Sequence, residues 1–149
     1  MERGDNTFSV GKAEESSGFL MWKVSTLWQR EIRKTLEPHD LTHSQFVLLA
    51  SAYWLALNDV DVTQAVLSSH TKIDPMTTST VLRTLQRKGF VRRDPHRSDT
   101  RAKIVGLTET GVAAVKQAVI AVESFDREFF SRLGGELPRF NAFLVSLLD

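Results

Sequence analysis

The sequence predicts a mainly α-helical fold carrying one β-hairpin, and three observations predict it. Apolar residues recur at helical spacing over most of the 149 positions. Two strand-like stretches, 90–93 and 102–107, flank a polar, turn-prone segment. Capping residues and Gly or Pro stops divide the periodic stretches into about six helices.

The first period is Leu20, Val24, Leu27 and Trp28, with Trp22 and Ile32 beside it, and Pro38 stops it. One amphipathic helix over 17–36 accounts for it. Thr42-His43-Ser44-Gln45 has the form of a capping box, in which the Thr and Gln side chains each accept from an otherwise free backbone N–H. Behind it, Phe46, Leu49, Ala50, Tyr53, Trp54 and Leu57 share one face of a second helix. Asn58-Asp59-Val60-Asp61 breaks that helix, and Val60-Asp61-Val62 is expected to form a very short strand. Thr63 caps a third helix, 63–70, which buries Val66 and Leu67.

A turn, His70-Thr71-Lys72-Ile73, leads to Asp74-Pro75, an N-cap followed by a proline at the first helical position. The fourth helix, 75–88, turns Val81, Leu82 and Leu85 inward, and Gly89 ends it. The hairpin follows, with a charged tip between its strands. Thr108 then caps a long helix striped with Val112, Val115, Val119, Val122, Phe125 and Phe129, and Gly134-Gly135 stops it. A final helix, 136–148, collects Phe140, Phe143, Leu144, Leu147 and Leu148 on one face.

Composition narrows the function classes. The chain is 42% hydrophobic and 25% charged, as expected of a soluble globular protein. No apolar run approaches the roughly 18 residues of a membrane span. Without cysteine there is no disulfide, thiolate metal site or cysteine redox switch, which is compatible with a cytoplasmic location. Residues 1–16 carry four acidic side chains and no apolar stretch, so they are expected to be a disordered lead-in and not a signal peptide. Residues 17–149 are expected to be one domain.

The net charge of +1 conceals a separation. From Lys72 to Lys103 nine basic residues face three acidic ones, giving +6, while the rest of the chain carries −5. Phosphates respond to local potential and not to total charge, so this is what a polyanion-binding segment needs. A solvated basic face is the plain alternative.

Two short helices, a turn between them and a basic hairpin make a winged helix-turn-helix. The major groove admits a helix, and 75–88 is the one placed to enter it, braced by 63–70. Its outward side chains Thr77, Ser79, Thr80, Arg83 and Thr84 can exchange hydrogen bonds with bases or phosphates. Met76 and Thr78 suit thymine methyls or the core equally well. The hairpin gathers Arg93, His96, Arg97 and Arg101, suited to phosphates or a narrow minor groove. Asp99 is expected to pair with Arg101 and fix the shape of the loop, adding little stability on so exposed a turn.

Leu41-Thr42-His43-Ser44-Gln45-Phe46, Leu85-Gln86-Arg87-Lys88-Gly89-Phe90-Val91-Arg92-Arg93, and Asp99-Thr100-Arg101-Ala102-Lys103 through Leu107-Thr108-Glu109-Thr110-Gly111 together resemble the multiple-antibiotic-resistance regulator (MarR) family. The resemblance covers residues 17–148. It implies a homodimeric DNA-binding transcription regulator, usually a repressor of a pseudo-palindromic operator, with 17–40 and 108–149 as dimerisation helices and 41–107 as the winged module. By the same resemblance Asp99 and Arg101 match the family's wing pair, and 77–83 its recognition-helix positions. Two departures stand out: Thr80 occupies a position where many relatives carry a basic residue, and 65–70 is less typical than its flanks.

The resemblance also implies a small-molecule effector pocket between the dimerisation helices and the winged module. Trp22, His43, Phe46 and Trp54 lie on the elements that would line it, although large aromatics on such helices are more often core. The stripe from Val112 to Phe129 and the 140–148 cluster exceed what a small winged domain must cover, which independently suggests an interface. Their alternative is to fold back on helix 17–36 in a monomer. His39 and His43 are four apart across a helix start and lack acidic partners, so no metal site is expected. No cofactor is expected either, and no nucleophile or glycine-rich phosphate loop suggests catalysis. The rival reading is a winged protein-interaction module that does not read bases.

Overall fold

A computed structural model describes residues 5–99 and 101–148. Residues 1–4 of the lead-in, Thr100 and Asp149 lie outside the described residues. A 3-10 turn (Ala13–Glu15) precedes α1 (Ser17–Leu36), so part of the segment expected to lack structure is folded. There follow α2 (His43–Leu57), α3 (Gln64–Thr71), α4 (Pro75–Arg87), β1 (Val91–Pro95), β2 (Lys103–Leu107) and α5 (Glu109–Phe130). A 3-10 segment (Ser131–Glu136) then leads to α6 (Leu137–Ser146).

The helix starts follow the capping chemistry in the sequence. Thr42 Oγ1 accepts from Gln45 N and Gln45 Oε1 from Thr42 N, both at 3.2 Å, completing the capping box of α2. Thr63 and Thr108 cap α3 and α5 by accepting from Val66 N and Gly111 N. At the end of α4, Gly89 takes φ 77°. Its N–H donates to Gln86 O and that of Phe90 to Leu85 O, a Schellman closure that a side chain at position 89 would strain.

β1 and β2 pair antiparallel, from Val91 opposite Leu107 to Pro95 opposite Lys103. The short strand expected at 60–62 does not form. The segment makes only a single bridge, Thr63 to Ile104, and a 2.7 Å bond from Val105 N to Val62 O, because Asp59 turns the chain through a left-handed φ of 59° immediately before it. Those contacts still tie the base of the hairpin to the start of α3.

One core joins helices α1 through α5 and both strands of the hairpin. Ile32 and Leu36 meet Leu48, Leu49 and Ala52, then Leu67, Leu82 and Leu85, with Val91 and Val105 from the hairpin and Val115, Ala118 and Val122 from α5. No residue of α6 is buried. Leu20, Met21, Val24 and Leu27 of α1 are exposed beside Phe143, Leu144, Leu147 and Leu148 at the other end of the chain.

The start of α5 lies close against the connection between α4 and β1. A Cβ at Gly111 would overlap the Phe90 carbonyl group. Thr108 N donates to that same carbonyl at 3.1 Å, and Thr108 Oγ1 donates to Gly89 O. Gly111→Ala is therefore expected to destabilise the fold by about 3 kcal/mol, measured by urea unfolding, since backbone and not a flexible side chain must yield.

Candidate nucleic-acid interface

Helix α4 is positioned from both ends. At its start the Asp74 carboxylate accepts from Thr77 N at 2.8 Å and from Thr77 Oγ1 at 2.7 Å. These two bonds hold the Asp74 carboxyl below the usual carboxylate range. From α3, Ser68 Oγ donates to Ile73 O at 2.6 Å and Gln64 Nε2 to Pro75 O at 3.2 Å. At its end Lys88 Nζ reaches back to Asp40 O, to Asp40 Oδ2 at 3.5 Å and to Gln45 Oε1 at 3.0 Å. Lys88 thus anchors α4 to the α1–α2 connection. Periodicity gave no sign of these three bracing side chains, because their partners are distant in sequence or are backbone atoms.

The outward face of α4 carries Met76, 80% exposed, with Thr80, Arg83 and Arg87 also exposed. Thr80 Oγ1 donates to Met76 O, and Arg83 Nη2 lies 3.4 Å from that hydroxyl. Thr77 is exposed but its hydroxyl is engaged by Asp74. Ser79 and Thr84 are half-buried, and the Thr84 hydroxyl accepts from Arg87 Nη2 at 3.0 Å. Of the two alternatives open to Thr78, a thymine-methyl contact and the core, the structure takes the core. Thr78 is 0% exposed, and its hydroxyl donates to Asp74 O at 2.8 Å, so it packs the helix and is withdrawn from any surface. Its neighbour Leu82, one turn on, faces the same core, and that places Thr78 on the inward stripe.

The hairpin sorts its cations. Arg92 is tied down, with Nε 3.0 Å from Asp94 Oδ2 and Nη1 donating to Leu107 O at 3.1 Å. Arg93 points the other way, into a cleft of about 720 Å³ between α3 and the hairpin, lined also by Gln64, Ser68, Pro75, Arg101 and Lys103. Its Nε and Nη2 are buried without a hydrogen-bond partner. A buried cationic fork of this kind calls for an acceptor. Arg97 and Arg101 are exposed at the tip. Asp99 bonds to Arg101 through a different atom from the ion pair expected: its Oδ1 accepts from the Arg101 backbone N–H at 3.0 Å, and Arg101 itself is exposed.

The four residues placed around an effector pocket do not converge. Trp22 and Trp54 are 70% and 62% exposed. Trp54 stands eleven residues beyond His43 on α2, about 16 Å along the axis. Phe46 packs partly into the core. His43 instead meets Trp28 edge-on at 5.1 Å, and Trp28 Nε1 donates to Asp126 Oδ1 of α5 at 2.9 Å. Burial, and then the Arg33 charge, lower the His43 pKa from 6.5, against the opposing pull of Asp126. A separate apolar cavity of about 460 Å³ lies between α1, α5 and α6, lined by Leu20, Met21, Val24, Trp28, Phe129 and Phe140 among others. Among the described residues, no three His, Asp or Glu side chains are placed to hold a metal ion, and no helix is long and apolar enough to cross a membrane.

Comparison with known proteins gives a consistent picture. The MarR family model matches residues 41–103. The chain is 41% identical over 116 residues to the uncharacterised HTH-type transcriptional regulator YdcH of Bacillus subtilis, covering 78% of this chain and 79% of the relative. It is 30% identical over 125 residues to the HTH-type transcriptional repressor Rv2887 of Mycobacterium tuberculosis, covering 83% and 87%. The fold superposes on S. aureus MepR in its DNA complex with a TM-score of 0.81 at 25% identity, over 92% of this chain and 97% of that one.

The depressed His43 pKa has a consequence for stability. The unfolded chain takes up the His43 proton first, so the stabilisation is complete above 6.5 and is lost as pH falls below it through the lowered native value. Thermal melts across that window should show a decline that His43→Gln makes shallower.

Proposed function

The chain belongs to the MarR family of DNA-binding transcription regulators, and from that premise we propose that two copies bind a pseudo-palindromic operator and repress transcription in the cytoplasm. The observation that carries the proposal is the cleft beside α4. There Arg93 shares the cleft with Pro75 at the start of α4 and with Arg101 and Lys103 of the hairpin. A DNA phosphate at the mouth of that cleft would face three cations together, Arg93, Arg101 and Lys103. With it seated, α4 enters the major groove, presenting Met76, Thr80 and Arg83 to base edges, and Arg97 and Arg101 reach the adjoining minor groove. Thr77, Ser79 and Thr84 shape that helix face, and Asp99 holds the backbone of Arg101.

Repression is supported by the M. tuberculosis relative, an HTH-type transcriptional repressor. Dimerisation is supported by the apolar faces of α1 and α6, which the single chain leaves uncovered. In this reading 17–40 and 108–149 pair the subunits and 41–107 reads DNA. A small aromatic effector fits the apolar cavity between α1, α5 and α6 better than the scattered Trp22, His43, Phe46 and Trp54. That cavity adjoins the proposed dimer face, so filling it would alter the spacing of the two reading heads and release the operator.

Selecting bound duplexes from a random pool and titrating them across salt tests the proposal. Affinity should fall steeply as salt rises. Arg93→Gln should weaken binding to all sequences and reduce the salt slope by about one. Met76→Ala or Thr80→Ala should instead change base preference by about 1–3 kcal/mol at one position per half-site. Failure to enrich any sequence would contradict the proposal.

A further inference from the structure

His96 stands at the start of the wing tip with its side chain only 18% exposed, although the residues after it are exposed. Its ring Nδ1 accepts from both Ser98 N and Asp99 N at 3.1 Å. An acceptor at Nδ1 places the ring proton on Nε2, which faces Asp61 Oδ2 at 3.6 Å, on the connection between α2 and α3. The tip then closes on itself: Asp99 Oδ1 accepts from Arg101 N, Ala102 N donates to Asp99 O, and His96 N donates to Ala102 O.

We infer that His96 is the positioning residue of the wing: one ring nitrogen folds the loop that aims Arg101, and the other registers that loop against the helix-turn-helix at Asp61. The inference rests on the reading of the wing as a DNA-contacting arm. The chain of bonds supports it directly, since the ring holds the Ser98 and Asp99 backbone and the Asp99 carboxylate in turn holds the backbone of Arg101. The ring's role is to reduce the number of loop conformations from which an arginine must be recruited, an entropic cost otherwise met at binding.

The test uses the full-length protein and a duplex that the unsubstituted protein selects from a random pool. His96→Ala should weaken binding to that duplex about tenfold, because the loop is then ordered only on binding, with the far-UV circular dichroism unchanged. His96→Asn, whose Oδ1 accepts the same two N–H groups, should recover most of the loss. In the His96→Ala background, Arg101→Ala should cost much less than it does alone, because the arginine is no longer aimed. Equal binding by His96→Ala and the unsubstituted protein overturns the inference, as does an Asn variant no better than Ala, or strictly additive losses. If the unsubstituted protein selects no duplex, the DNA-contacting arm itself is refuted and the inference falls with it.

Discussion

The fold turns on the place where Gly111 lies against the Phe90 carbonyl. Three chain segments meet there: the Schellman end of α4, the first strand of the hairpin and the first turn of α5. Thr108 bonds to Gly89 O and caps α5 with the same hydroxyl, so one side chain links the end of the groove-facing helix to the start of the long helix. A backbone approach this close is possible only without a Cβ. It makes the orientation of α4 relative to α5 a matter of backbone geometry, which is stiff, and not of side-chain packing, which can adjust.

That stiffness gives α5 its importance. Its 22 residues span about 33 Å, from the base of the wing to Phe129 and Phe130 beside the uncovered apolar face. One helix anchored at Gly111 thus joins that face to the base of the wing. Trp28 and Asp126 clasp the C-terminal part of this helix to α1, with His43 of α2 against the indole. Charge and apolar surface are thus held apart along the chain yet mechanically joined. Local charge also proves more selective than its count: Lys88 and Arg92 serve internal bonds, while Arg93 is buried without one.

The elements were legible because each is announced by local chemistry. Thr42 with Gln45, Asp74 with Pro75, and Gly89 act within a few residues, and the observed helices start and stop where they direct. What escaped depends on contacts distant in sequence. Thr78 sits between outward neighbours, and only the packing of α4 on the core shows that it faces inward. Gln64 and Ser68 look like ordinary polar helix residues until the α3–α4 turn brings carbonyls to them. Four aromatics on neighbouring helices suggested one pocket, but their placement along α1 and α2 spreads them apart. Asp99 was legible as an organiser of the tip, though its partner is a backbone N–H.

The central claim is that two copies of this chain each place α4 in a major groove and an arginine-tipped arm in the minor groove beside it. Chemical protection of a bound duplex at base resolution tests this most directly. The account predicts two major-groove footprints whose centres lie about one helical turn, or a small multiple of it, apart, each flanked outward by minor-groove protection. A single footprint, or uniform backbone protection without groove pattern, would contradict it.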